Sequence, residues 1–286
     1  MRLIDVRHLG RPRVVGCWLV DDVLIDPGPT SCLDTLLAGL EGVVPRSVLL
    51  THIHLDHAGA TGSLVERWPE LAVYVHERGA PHLIDPSRLL KSARRLYGED
   101  MDELWGEAVP VPEGNIRVLS GGERLLGGAF EVAYTPGHAS HHVSYRWGAT
   151  AFVGDTGGVR IAPQGLTVPP TPPPDIDLAA WHDSIARIKA WRPQRLAITH
   201  FDAYDDAERQ LDELASRLDE WADWAREAER EGFVETARGT IECGAEAELV
   251  PAYLQAAAPE QVYAGLERYW RKRAEAVPPA AGPPVS

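Results

Sequence analysis

The stretch Thr51-His52-Ile53-His54-Leu55-Asp56-His57 follows an apolar run at 47–50. It constrains the fold more tightly than any other part of the chain. In an extended backbone residues i and i+2 point to the same side, so His52 and His54 aim two imidazoles at one point. On a helix the same two side chains would diverge by about 200°. The run 47–50 is therefore expected to be a strand. Residues 58–68 read as the helix that follows, with Asp56 and His57 at the turn between them, facing a second point nearby. At the chain's own His and Asp frequencies, H-x-H-x-D-H arises by chance in about one such chain in a thousand.

Three later places repeat the geometry. The apolar run 132–134 leads into T-P-G-H at 135–138, the run 151–153 into Gly154-Asp155, and the run 196–198 into Thr199-His200. Four strand ends meeting at one sheet edge would gather His52, His54, Asp56, His57, His138, Asp155 and His200. A single histidine is more often a satisfied core residue than a ligand; seven such groups in this order are not. Imidazole and carboxylate suit zinc, with iron or manganese as alternatives. Cys17, Cys32 and Cys243 show no paired spacing, which excludes a Cys-rich zinc site and a disulfide framework. Seven ligands exceed what one tetrahedral ion takes. Two divalent ions sharing one bridging carboxylate are the economical reading.

The remainder sets the frame. The chain has 286 residues, 44% of them hydrophobic and 24% charged, which is ordinary for a globular protein of just under two domains. Short strand runs alternate with Gly-rich turns and helices, so a layered α/β or α+β domain is expected over 1–203. Runs at 14–20 and 23–25 flank Asp21-Asp22 as a hairpin, and 31–40 reads as a helix. Apolar residues recur at helical spacing over 86–105, predicting a helical insert, while 162–174 is a stiff Pro-rich loop. A helical extension is expected over 204–276 and a disordered tail over 277–286. Within it, 205–231 carries Leu211, Leu214, Leu218, Trp221 and Ala225 at 3–4 spacing, and two further helices fall near 245–256 and 260–275. The stripe is expected to pack onto the main domain, with a homodimer through the C-terminal helices as the partner to consider beside a small-molecule substrate.

A formal charge of -14 argues against a nucleic-acid partner. No apolar run reaches about 18 residues, so no membrane span is expected. The charged N-terminal stretch does not read as a signal peptide and the cysteines fit a reducing compartment, which points to the cytoplasm.

Taken together, T-H-I-H-L-D-H at 51–57, T-P-G-H at 135–138, Gly154-Asp155 and Thr199-His200 make the chain resemble the metallo-β-lactamase superfamily of hydrolases over roughly 1–203. The resemblance implies an α+β fold of the αββα sandwich type. It also implies ligand roles: His52, His54 and His138 for a first ion, Asp56, His57 and His200 for a second, with Asp155 bridging. Asp26 in L-I-D-P-G matches a common family position beneath the site and is expected chiefly to form a turn. His142 is expected to support the ligands from behind, and His141 to lie on the surface. His8, His76, His82 and His182 are expected to be structural or exposed.

The chemistry expected is hydrolysis of a small ester, thioester or lactone by a bridging hydroxide, with Asp56 handling the proton. Alternatives are a phosphodiesterase or phosphotriesterase, and a mononuclear iron dioxygenase acting on persulfides. The branch resembled is that of glyoxalase II and the lactonases. Within it no subfamily fits fully: lactonases often carry Tyr three residues after the bridging Asp, where this chain has Gly158. The insert and the Pro-rich loop are expected to flank the ions, with Leu89, Leu96, Tyr97, Met101 and Trp105 as an apolar wall.

Overall fold

Alternation along each strand decides which layer a side chain joins. Trp18 and Val20 enter one apolar cluster, whereas Cys17 and Leu19 between and beside them enter another. The computed structural model describes residues 1–276, and the tail expected at 277–286 lies outside the described residues. The first sheet holds β1 (Arg2–Asp5), β2 (Gly16–Val20), β3 (Val23–Ile25), β4 (Ser47–Leu49), β5 (Ala72–His76) and β6 (Ile116–Leu119), in that spatial order. β1 to β3 are antiparallel and β3 to β6 parallel. The expected hairpin is β2–β3, turning at Asp21 with φ 53°.

The second sheet holds β7 (Arg124–Leu125), β8 (Phe130–Tyr134), β9 (Val143–Trp147), β10 (Thr150–Phe152), β11 (Arg195–Ala197) and β12 (Ala203–Tyr204). Only the pair β10–β11 is parallel. Trp18, Ile25, Leu49, Phe130, Val132, Tyr145 and Phe152 fill the space between the sheets. On the outer faces, Leu36 of α1 (Leu33–Gly39) and Leu64 of α3 (Thr61–Arg67) join Leu24, Val48 and Val73, and Trp181 and Ile185 of α7 (Leu178–Ala190) join Ala151 and Leu196. The fold is thus the α+β sandwich αββα. The helix expected at 58–68 is α3, and the turn expected at Asp56 and His57 is itself a short helix, α2 (Leu55–Ala58).

The insert comprises α4 (Ala80–Ile84), α5 (Ser87–Tyr97) and α6 (Met101–Trp105). The C-terminal part comprises α8 (Ala207–Glu227), α9 (Arg230–Gly244), α10 (Val250–Ala256) and α11 (Pro259–Ala276). The stripe Leu211, Leu214, Leu218, Trp221 and Ala225 on α8 is buried within the chain. α9 was not among the expected helices; only Phe233, Ala237 and Ile241 of its fifteen residues are buried, so its apolar period is faint.

These helices are joined to the sandwich by polar contacts as well as apolar ones. Arg160 is 1% exposed and donates to both carboxylate oxygens of Asp206 and to Gln210. The Tyr253 hydroxyl accepts from the Ile161 amide at 3.0 Å and donates to the Leu166 carbonyl at 2.9 Å.

Candidate metal centre

Four strands, β4, β8, β10 and β11, end on one edge, and the chain leaves each of them through a ligand-type residue. His54 keeps an extended backbone (φ -60°, ψ 150°) just before α2 begins, so His52 and His54 turn to one side as the spacing requires. Gly154 turns with φ 45° immediately before Asp155; a Cβ there would lie 2.5 Å from Thr51 Oγ1 and 3.0 Å from His142 Nε2. Only glycine allows both that backbone and that approach.

All seven residues meet. His54 Nδ1 lies 3.0 Å from His52 Nε2 and 3.0 Å from His138 Nε2. Asp155 Oδ2 lies 3.3 Å from His138 Nε2. Its other oxygen, Oδ1, lies 3.1 Å from His57 Nε2 and 3.4 Å from His200 Nε2. Asp56 Oδ2 completes the second group at 3.3 Å from His200 Nε2 and 3.7 Å from His57 Nε2. Three overlapping groups able to hold an ion result: His52–His54–His138, Asp56–His57–His200, and His52–His57–Asp155 joining the two.

The donor set fits metal ions on the structure's own terms. Nitrogens around a tetrahedral zinc, with bonds of about 2.0–2.1 Å, sit roughly 3.3 Å apart. His57 Nε2, His200 Nε2 and Asp155 Oδ1 are buried and have no hydrogen-bond partner. Unpaired buried polar atoms cost about 1–3 kcal/mol each, and three converging on one point call for a shared partner.

The other ring nitrogens are fixed from behind. His57 Nδ1–H donates to Asp26 at 2.8 Å, His138 Nδ1–H to the Pro170 carbonyl at 2.8 Å, and His200 Nδ1–H to the Val14 carbonyl at 2.6 Å. Each bond selects the tautomer that leaves Nε2 a lone pair for an ion. His52 Nδ1 lies 3.1 Å from Thr51 Oγ1, which donates in turn to Asp26.

Charge follows the same logic. Burial and the neighbouring imidazoles push His52 down, and burial pushes His54 to about 4 and lowers His138. His57 and His200 are also penalised by burial, yet the surrounding carboxylates raise both. Asp56 and Asp155 are held low by those histidines in spite of burial. Carboxylate charge at this point thus favours positive charge, which a bound cation can supply.

Two expectations around the ligands need correction, the chief role of Asp26 and the exposure of His141, while His142 lies where it is expected. Asp26 does turn the chain (φ 51°), but its carboxylate is fully buried and accepts from Thr51 N, Thr51 Oγ1, His57 and Thr199 Oγ1. His141 is not on the surface: it is 9% exposed, Nδ1 has no partner, and the ring lies 5.8 Å from that of His54. His142 sits behind the ligands, its ring stacked 5.1 Å from His52 and Nδ1 within 3.2 Å of the Thr135 and Thr156 hydroxyls.

The centre opens into a cleft of about 780 Å³. Leu89, Leu96, Tyr97 and Trp105 line it, as do residues 170–174 of the Pro-rich loop. Met101 does not; it is buried behind this wall with Leu55 and Trp105, because α6 turns that side inward. Sequence reasoning missed the cleft's far side, where Gln255, Gln261 and Arg268 come from α10 and α11. His8 also reaches it, stacked on Trp105 at 5.1 Å and bonded to Gln255.

Comparison with known proteins agrees with this architecture. The sequence model of the metallo-beta-lactamase superfamily matches residues 10–203. The chain belongs to that superfamily. It is 34% identical over 134 residues to a hydroxyacylglutathione hydrolase of Xylella fastidiosa, covering 47% of this chain and 40% of that protein. The match therefore spans well under half the length of that relative. Among solved structures, the archaeal superfamily protein ST1585 from Sulfolobus tokodaii superposes with a TM-score of 0.63 at 22% identity, covering 77% of this chain and 85% of that one. TTHA1623, solved in a di-iron-bound form, superposes with a TM-score of 0.52 at 31% identity, covering 66% of this chain and 88% of that one. Among the described residues no helix is long and apolar enough to cross a membrane.

Proposed function

We propose that the protein is a dinuclear metal-dependent hydrolase of a small ester, thioester or lactone. The observation that carries this is Asp155, whose two oxygens face two separate histidine groups. The name of the Xylella relative favours a thioester among these substrates, and the two irons of TTHA1623 favour a pair of ions. Imidazole and carboxylate donors suit zinc, with iron or manganese as alternatives.

His52, His54 and His138 would hold one ion, Asp56, His57 and His200 the other, and Asp155 both. Bound there, such ions lower the pKa of water towards about 7 and polarise a carbonyl oxygen. The chain's residues do the rest. Leu89, Leu96 and Tyr97 receive the acyl group in the cleft and exclude water from it. Asp56 is the more exposed of the two carboxylates, its side chain 24% accessible against 5% for Asp155. It takes the proton of the attacking water as the new C–O bond forms. As the bond to the leaving sulfur or oxygen breaks, it returns that proton to the leaving group.

The test is a hydrolysis screen over thioester, lactone and phosphodiester substrates, with elemental analysis of protein purified without chelator. Two metals per chain and carboxylic-acid release support the reading. A ratio fixed near one iron, with oxygen uptake and no hydrolysis, would replace it by a mononuclear dioxygenase.

A further inference from the structure

The mouth of the cleft is basic, although the whole chain carries -14. Arg88 and Arg95, with Ser92 between them, share one face of α5 at i, i+4 and i+7 and line the cleft. Arg268 lines it from α11, and Arg78 from the turn after β5. A second cavity of about 440 Å³ shares Arg78, Ser140 and Asp175 with the cleft and adds Lys272 and Arg273. Arg268 and Lys272, one turn apart on α11, both donate to the Pro174 carbonyl at 3.3 Å, which seats them on the rim.

Among the described residues none of these six cations has a carboxylate within 4 Å. Of the 22 other Lys and Arg side chains, 13 have a carboxylate within 4 Å, Arg46, Arg124, Arg195 and Arg226 among them. The acidic groups at the mouth are Asp100, Asp175 and Asp177. Two of these are engaged: Asp175 accepts from Ser140 at 2.7 Å and Asp177 caps α7 through the Ala180 amide. Six cations from three separate elements thus converge on two joined cavities without a carboxylate partner, held only by the Pro174 carbonyl and, for Arg78 and Arg273, by the faces of Tyr134 and Tyr269. A small uncharged ester offers these cations no charge to pair with. Guanidinium groups match phosphate oxygens two at a time, and six positive charges exceed what one or two carboxylates would use.

We propose that this basic mouth binds a polyanionic, phosphate-bearing tail on the substrate's leaving group. The apolar inner cleft then takes the acyl end. The proposal rests on the hydrolase reading for the reaction, and its binding half is testable without turnover. Calorimetric titration of the full chain uses three thiols as probes: coenzyme A, which carries phosphates; glutathione, which carries carboxylates; and neutral N-acetylcysteamine. The neutral thiol accounts for any direct sulfur–metal contact. Coenzyme A is expected to bind at least about ten-fold tighter than the other two and to weaken several-fold as salt is raised.

Two double variants on independent elements, Arg268→Glu with Lys272→Glu and Arg88→Glu with Arg95→Glu, are each expected to weaken coenzyme A binding about ten-fold or more. Binding of coenzyme A no tighter than the neutral thiol overturns the proposal. So does equal or tighter binding of glutathione, or wild-type affinity in both double variants. Thioesters of the same three thiols separate the two ideas. If none is hydrolysed while coenzyme A still binds, the hydrolase reading falls and the tail site stands.

Discussion

Replacing Asp26 by Asn isolates the tautomer argument from the ligands themselves. The side chain is fully buried, and Oδ1 accepts from the Thr51 amide at 2.8 Å. Oδ2 accepts from Thr51 Oγ1 at 2.7 Å, His57 Nδ1 at 2.8 Å and Thr199 Oγ1 at 3.0 Å. A backbone amide cannot turn away, so the Asn carbonyl must occupy the Oδ1 position and its NH2 the Oδ2 position. The two hydroxyls can rotate to accept. His57 cannot: to avoid a donor facing a donor it must move its proton to Nε2, the atom that faces Asp155 and Asp56. One charge-assisted hydrogen bond is lost, costing about 1.5–3 kcal/mol of stability. Loss of support behind a metal-binding histidine typically costs about 10–100-fold in affinity. The assay is metal content after dialysis against graded chelator, with urea unfolding alongside. One ion is expected to leave at a chelator concentration about 10–100-fold lower than in wild type, while the ion assigned to His52, His54 and His138 is retained. An Asn variant that holds both ions as wild type does would refute the reasoning.

Asp155→Ala is expected to lower the occupancy of both ions, because each oxygen serves a different group; mass spectrometry of the purified variant reads the count. Asp56→Asn should cut turnover about 10²–10⁴-fold while the melting temperature stays within a few degrees, and near-wild-type turnover with both metals retained contradicts its proton role. Trp105→Ala should cost about 3–5 kcal/mol in unfolding free energy, since the ring is 8% exposed and packs on Met101 and His8. Tyr97→Ala, at the half-buried cleft wall, should instead raise KM with a smaller loss of stability. Asp206 is drawn down to about 2 chiefly by its hydrogen bond from Arg160, so its contribution is present above pH 4 and is lost as pH falls from about 4 towards 2; with its side chain 37% exposed this is about 1–2 kcal/mol after screening. Unfolding of Asp206→Asn against wild type should show a gap at pH 7 that closes over that window.

The centre was legible because its signal is local. Period-2 alternation places His52 and His54 on one side, and short apolar runs ending on His138, Asp155 and His200 supply the rest. What was not legible depends on residues far apart in the chain. Asp26 reads as a turn residue in L-I-D-P-G, and nothing near it shows that Thr199, 173 positions later, brings it a hydroxyl. His141 reads as loop in G-H-A-S-H-H, and its burial follows from the approach of His54. α9 escaped because three buried positions in fifteen leave too weak a period.

The far wall of the cleft is the most distant pairing of all. Gln255 reaches His8 across 247 positions, and His8 in turn stacks on Trp105 of the insert. Three segments that look independent in sequence therefore form one enclosure. Its construction ties specificity to stability. α10 and α11 offer Gln255, Gln261 and Arg268 to the cleft, and Tyr253 on α10 is fastened to Ile161 and Leu166. Those two residues sit on the loop that continues to Pro170, whose carbonyl orients His138. A displacement of the C-terminal helices thus reaches the His138 imidazole through one loop. Substitutions in α10 should accordingly alter metal retention as well as substrate choice, and not KM alone.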